Sequence, residues 1–210
     1  PLQDMAAYSS VPVVNSLTDS FHPCQLLADL VTIAQHRGGV DSLAGLTFAY
    51  VGDGANNMSH SYLLGCATAG MHVRIGAPDG FLPEAQIVAD ATKIAEQTGG
   101  SVLVTTDPAV AFAGADVIAT DTWVSMGDEG DAASRELPFV PYQVNNQSLE
   151  LEAEGAQVLH CPAAYRGKEV TASVIDGPQS VVWDEAENRL HAQKGLMTWL
   201  MRNTQAKDQS

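Results

Sequence analysis

The sequence predicts an α/β fold: a Rossmann-like parallel sheet of five to six strands with helices on both faces. Three observations predict it. Short apolar runs, at residues 46–51, 73–76, 102–105, 117–120 and 158–160, recur along the chain. Stretches with helical spacing or helix caps lie between them, so successive strands need crossovers and neighbouring strands run parallel. The first run ends in Gly52-Asp53-Gly54 ahead of Asn56 and Asn57, the strand, glycine turn and helix that open such sheets.

In chain order, residues 4–8 offer a short helix and residues 11–14 an apolar run. Pro23 disfavours helix for His22 and favours a start at itself. Leu26, Leu27, Leu30, Ile33 and Ala34 then recur at helical spacing, until Gly38-Gly39 stops the helix. Residues 46–51 form the first strand and 56–70 the helix after it. A second strand (73–76), a helix (83–97) ended by Gly99-Gly100, a third strand (102–105), a short helix (108–112) and a fourth strand (117–120) follow. Residues 121–137 are polar, acidic and without periodicity, a loop of the length that often serves as a lid. A helix at 147–152, a fifth strand at 158–160, a short helix at 170–175 and a sixth strand at 181–183 come next. The last helix runs from Asp184 to about Arg202; Asp184, Glu185 and Glu187 suit its N-terminal dipole. Its stripe of Leu190, Gln193, Met197, Leu200 and Met201 needs a cover, and residues 203–210 read as a frayed polar tail.

The chain has 210 residues, of which 45% are apolar, enough for a full core. That length suits one α/β domain or a large piece of a two-domain protein. It opens on Pro1 with no targeting pattern, and reads as cut from something longer or as a processed start. Ten basic against 25 acidic residues give a formal charge of −15. That argues against nucleic acid and anionic membranes as partners, while leaving a small anionic ligand open. No run of 18 apolar residues suggests a membrane span. Cys24, Cys66 and Cys161 have no metal-type spacing and make no even-numbered framework, so a reducing cytoplasm is expected, with no metal and no cofactor.

Gly52-Asp53-Gly54-Ala55-Asn56-Asn57 imitates the dinucleotide fingerprint. Asn57 stands at its third glycine, however, and no acidic residue ends the second strand to hold a ribose. A nicotinamide cofactor is therefore not expected. The two amides either cap the following helix or hold a polar ligand at the strand end.

Five motifs follow one another: His22-Pro23-Cys24-Gln25, Gly52 to Asn57, Asp121-Thr122-Trp123-Val124-Ser125-Met126-Gly127, His160-Cys161, and Glu187-Asn188-Arg189-Leu190-His191-Ala192-Gln193-Lys194. With them the chain resembles the ornithine carbamoyltransferase family from about residue 5 to about residue 202. The first and third motifs are the most specific. The Ser-x-Arg-Thr-Arg loop that holds phosphate in the family's N-terminal domain is absent from the sequence. The resemblance therefore implies the C-terminal, ornithine-binding portion. Residues 1–20 would lead in from the carbamoyl-phosphate domain, 21–184 form the ornithine-binding domain, 185–205 a helix that packs on the other domain, and 206–210 a tail.

The family's reaction is attack of the δ-amine of L-ornithine on carbamoyl phosphate, giving L-citrulline and phosphate in arginine biosynthesis. By resemblance His22 and Gln25 hold the carbamoyl group, and Arg189 stabilises carbamoyl phosphate. Asn57, Asp121, Ser125 and Met126 bind ornithine, and Cys161 sits beside its δ-amine without forming a covalent bond. Pro162 joins Cys161 in the carbamoyl-phosphate site. Each residue also has a plainer reading: a turn histidine capping its helix, a strand-end carboxylate, a packed thiol, a structural arginine. The family commonly reads Cys-Leu-Pro where this chain has Cys161-Pro162-Ala163, which removes a backbone N–H beside the substrate. Two alternatives follow: a carbamoyltransferase for another amine, and a non-catalytic fragment or binding module. The resemblance further implies a homotrimer for the full enzyme. The isolated portion is expected to be monomeric or poorly soluble, with apolar helix faces uncovered.

Overall fold

A computed structural model describes residues 2–123, 136–161 and 163–207. The apolar runs become β1 (Thr47–Val51), β2 (His72–Gly76), β3 (Ser101–Thr105), β4 (Val117–Thr120) and β5 (Gln157–His160). They form one parallel sheet in the order β3-β2-β1-β4-β5. The chain steps outward from β1 to β3 and then returns to β4 on the other side of β1. The crevice beyond the paired ends Val51 and Thr120 is therefore the topological switch point, where such sheets bind ligands.

The helices are α1 (Leu2–Tyr8), α2 (Pro23–Arg37), α3 (Asn57–Thr68), α4 (Ala85–Thr98), α5 (Pro108–Phe112), α6 (Asn146–Leu149), α7 (Ala172–Ile175) and α8 (Val182–Lys207). Strand alternation divides the core into two layers. Phe48, Tyr50, Val73, Ile75, Val117 and Ala119 face α2, α3 and α4. Ala49, Val51, Ile118 and Val158 face α5 and α7. Local chemistry sets the helix ends: Pro23 opens α2, and Gly38 closes it with φ 93°, its N–H donating to the Ala34 carbonyl. The side chain of Asn56 accepts from Ser59 N at 2.8 Å and caps α3.

Two expectations are corrected. No sixth strand forms at 181–183 among the described residues. Val158 N donates to Gln179 O at 2.9 Å and Val181 N to Val158 O at 3.0 Å, a single parallel bridge beside β5. The chain then turns directly into α8, which starts at Val182. The expected frayed tail is also helical as far as Lys207. Among the described residues no helix is long and apolar enough to cross a membrane. Leu190, Met197, Trp199 and Met201 of α8 are exposed, as their uncovered stripe requires.

Candidate active site

His22 occupies the N-cap of α2, yet its side chain makes no capping bond. Its backbone N–H donates to Ser61 Oγ at 2.8 Å, and Ser61 Oγ donates to Asn57 O at 2.7 Å, fixing the start of α2 against α3. The imidazole is buried, and Nδ1 has no partner among the described residues. Burial first, and the nearby Arg189 charge second, hold its pKa below the usual histidine value against a raising contribution from the Ser16 carbonyl. The ring is thus neutral near pH 7.

Gln25 lies one turn further on and is fully buried. Its Oε1 accepts from Arg189 Nη1 at 2.6 Å. Its Nε2 donates to Asp29 Oδ1 at 2.8 Å and to Glu185 Oε1 at 3.0 Å. Arg189 therefore reaches from α8 to the start of α2, and its Nε is buried without a partner among the described residues.

The sheet edge supplies the other wall. Thr120 Oγ1 donates to Val51 O at 2.8 Å and ties β4 to β1 immediately before Asp121. Asp121 Oδ1 accepts from Thr122 N at 2.7 Å. Burial pushes its carboxyl up to about 6; Thr122 N–H and the His160 charge oppose this, while Glu169 and Asp53 add to it. Tyr50 is fully buried beneath, its hydroxyl accepting from Asn56 Nδ2 at 2.8 Å and feeling the charges of Asp121 and Asp53 and the Cys161 thiol. Cys161 follows β5, and its N–H donates to Thr120 O at 3.3 Å. Burial pushes its thiol well up, Asp121, Asp29 and Glu185 push it further, and Arg189 opposes them. It is a neutral thiol, not a thiolate.

Gln25 and Arg189 are thus joined by a direct bond, and the Arg189 charge acts on His22 and Cys161 as the Asp121 charge acts on Cys161. Asn57 stands at the rim, where its Nδ2 donates to Thr18 O at 2.9 Å in the lead-in segment. Ser125, Met126 and Pro162 lie outside the described residues. Among the described residues no group of three or more metal-type ligands forms. The arrangement offers neutral and cationic donors on the α2–α8 side and a carboxyl on the sheet side, fit for a small polar molecule that carries both an oxyanion and an amine.

Three residues were missed in the sequence. Asp29, Tyr62 and Glu185 are buried beneath Gln25, and Tyr62 Oη donates to Asp29 Oδ2 at 2.7 Å. The second Glu185 oxygen accepts from His160 N at 2.9 Å. The spacing of Gln25 and Asp29, one helical turn apart, was the available signal. Glu185 reads in the sequence as a solvated acid at a helix start, but it is only 1% exposed.

Comparison with known proteins identifies the family. Residues 44–200 match the family model for the Asp/Orn binding domain of aspartate/ornithine carbamoyltransferase, and residues 1–35 match its carbamoyl-P binding domain. An ornithine carbamoyltransferase of Bifidobacterium longum subsp. infantis is 63% identical over 199 residues, covering 95% of this chain and 62% of that protein. Among solved structures, the ornithine carbamoyltransferase of Pyrococcus furiosus superposes with a TM-score of 0.89 at 44% identity, over 95% of this chain and 63% of that one. That of Gloeobacter violaceus superposes with a TM-score of 0.87 at 47% identity, over 95% and 66%. The chain thus spans less than two thirds of the length of the relatives it matches. With both of the family's domain models matched and its fold reproduced, the chain belongs to the aspartate/ornithine carbamoyltransferase family.

Proposed function

We propose that the chain is the ornithine-binding portion, with part of the carbamoyl-phosphate domain, of an ornithine carbamoyltransferase. It would transfer the carbamoyl group of carbamoyl phosphate to the δ-amine of L-ornithine, giving L-citrulline and phosphate in arginine biosynthesis. The observation that carries this reading is the Gln25–Arg189 bond, with the Arg189 charge acting on both His22 and Cys161 and the Asp121 charge acting on Cys161. The names of the relatives supply the substrates.

In this reading the δ-amine attacks as the free base. The C–N bond forms, the carbonyl π electrons move to oxygen, and the tetrahedral oxyanion receives an N–H from His22 and the charge of Arg189. One preorganised donor at such an oxygen is worth roughly 3 kcal/mol. Collapse breaks the C–O bond to phosphate, which leaves with the bonding pair and takes up the proton that the new nitrogen gives up. Gln25 Oε1 accepts an N–H of the carbamoyl group. Asp121 and Asn57 take the α-ammonium and the α-carboxylate, with Asp121 ionised when the ammonium is bound. Ser125 and Met126 would close over ornithine, and Pro162 would line the carbamoyl site. Cys161, held neutral, packs beside the δ-amine. Residues 1–20 would lead in from the carbamoyl-phosphate domain, 21–184 form the ornithine domain, 185–205 pack on the other domain and 206–210 form a tail. A homotrimer in the cytoplasm completes the reading, on the strength of the resemblance.

The test is to mix this chain with the remaining portion of the Bifidobacterium longum relative and assay citrulline from carbamoyl phosphate. Ornithine, putrescine and aspartate are compared as acceptors. Citrulline formation that needs both pieces is expected. Two folded pieces that stay inactive, or that prefer another amine, would sink the proposal.

A further inference from the structure

The buried carboxyl pair beneath Gln25 has a closed pattern of donors. Its four oxygens each accept a hydrogen bond from outside the pair: Asp29 Oδ1 and Glu185 Oε1 from Gln25 Nε2, Asp29 Oδ2 from Tyr62 Oη, and Glu185 Oε2 from His160 N, while a further hydrogen bond joins Asp29 to Glu185. The contributing groups come from α2, α3, α8 and the end of β5, and all four side chains are at most 1% exposed. Both hydrogens of the Gln25 amide are therefore spent inward. Turning that amide over would place its oxygen against two carboxyl groups and its NH2 against the Arg189 guanidinium.

We infer that Asp29 and Glu185 are positioning residues that fix the donor specificity of the site, by holding Gln25 so that only its carbonyl oxygen faces the transferable group. An acceptor in that position selects an acyl phosphate whose carbonyl carries N–H over one that carries a methyl group. A site built around a hydrogen bond rejects the analogue that lacks it, because its own buried polar group is left unpaired. In the structure Arg189 Nη1 satisfies Gln25 Oε1, and a carbonyl oxygen has a second lone pair for the donor's N–H. The inference rests on the function proposed above.

A purely structural role makes a different prediction. The same helix pair is also joined by Asn188, whose Nδ2 donates to Thr32 Oγ1 at 2.9 Å and to Gln35 Oε1 at 2.7 Å. Asn188→Ala removes bonds of that seam without touching Gln25. Glu185→Gln keeps the shape of the side chain but faces two obligate donors, His160 N–H and Gln25 NH2, and can accept well from only one of them.

The experiment uses the two-piece enzyme and compares kcat/KM for carbamoyl phosphate with that for acetyl phosphate, ornithine being the acceptor. The unsubstituted enzyme should favour carbamoyl phosphate at least ~100-fold. Glu185→Gln should cut that ratio at least ~10-fold, while Asn188→Ala leaves the ratio in place and lowers only stability. Glu185→Gln losing rate with both donors in proportion would overturn the inference. A second readout needs no activity: in the 15N-labelled chain alone, the Gln25 side-chain NH2 should exchange with water at least ~100-fold slower than a surface glutamine, and Glu185→Gln should abolish that protection. Free exchange in the unsubstituted chain would refute the pinning. An inactive two-piece enzyme whose Gln25 is protected would refute the proposed function and leave the pinning standing.

Discussion

His160 Nε2 lies 3.0 Å from Glu169 Oε1, with the two side chains 2% and 1% exposed. The same Glu169 oxygen accepts from Tyr165 N at 2.6 Å, so one carboxylate pins both the end of β5 and the loop after Cys161. His160 Nδ1 in turn meets the Cys161 carbonyl. Glu169→Ala would remove both Glu169 bonds at once and leave His160 Nε2 buried and unpaired. Removing one partner of a buried pair costs on the order of 3–5 kcal/mol. Urea unfolding of the variant should show a loss of that order. A change below about 0.5 kcal/mol, the range of ordinary surface substitutions, would mean that the dyad holds nothing in place.

Stability should fall as pH rises from about 4 to about 6. Burial pushes the Asp29 carboxyl up to about 6 from an ordinary 3.8, against hydrogen bonds from Tyr62 and Gln25. Glu185 beside it is raised for the same reason and by the charge of Asp29, so the pair titrates as a unit. Between those pH values the folded chain keeps a proton that the unfolded chain has lost. Unfolding then releases it, and stability declines with pH. Below about 4 both states are protonated and the contribution is complete; the Asp29 part is gone above about 6, and the Glu185 part is lost as pH rises through that group's own raised pKa. A two-unit shift corresponds to roughly 3 kcal/mol. Asp121, also raised to about 6, adds a slope of the same sign. Denaturant titrations at several pH values check this, and Asp29→Asn should flatten the curve. Stability that climbs through this window would contradict it.

Gly54 carries no side chain because none fits. A Cβ there would stand 2.7 Å from Phe81 O, 2.8 Å from Ala77 Cβ and 3.1 Å from Pro83 Cδ. Two of those neighbours belong to the backbone or a ring and cannot swing aside. Gly54→Ala should destabilise by about 1–3 kcal/mol, the usual cost of overpacking. It should also shift the turn that aims Asn56 at Tyr50. Chemical-shift changes beyond residues 52–57, reaching Tyr50, are the expected signature. An unperturbed spectrum would show that the turn has slack.

Residues whose role follows from periodicity were legible in the sequence. The strand runs, Pro23 and Gly38 at the ends of α2, and Asn56 at the start of α3 all act locally, through dihedral angles and caps within a few residues. The sixth strand was misread because apolar residues 181–183 look the same whether they pair beside β5 or open a helix, and nothing local marks that Glu185 bonds to Gln25, 160 residues away. The inward turn of that carboxylate was hidden for the same reason: a glutamate in a helix's first turn looks the same whether it faces water or a buried amide. His22 was legible by its motif, but the bond of its backbone N–H to Ser61 was not, since that bond joins residues 39 apart in sequence.

The last prediction concerns Cys161, whose reactivity separates a packed thiol from a nucleophile. Burial and the charges of Asp121, Asp29 and Glu185 all favour the protonated form, and only Arg189 opposes them. A cysteine that serves as nucleophile sits in the opposite, electropositive setting. In the folded chain at pH 8, iodoacetamide should therefore alkylate Cys161 at least ~10-fold slower than a free cysteine, each unit of upward shift costing about a factor of ten in thiolate. Cys24 and Cys66 are buried, so denaturation should release all three thiols together. Removing the single opposing cation, by Arg189→Met, should slow Cys161 further. In the two-piece enzyme the same chemistry predicts that no carbamoyl-cysteine accumulates in a single turnover, because a neutral thiol whose ionisation three neighbouring acidic groups oppose lacks the charge to attack. Fast, selective alkylation of Cys161, or a mass increment of one carbamoyl group on its peptide, would show that the thiolate forms and that the packed-thiol reading is wrong.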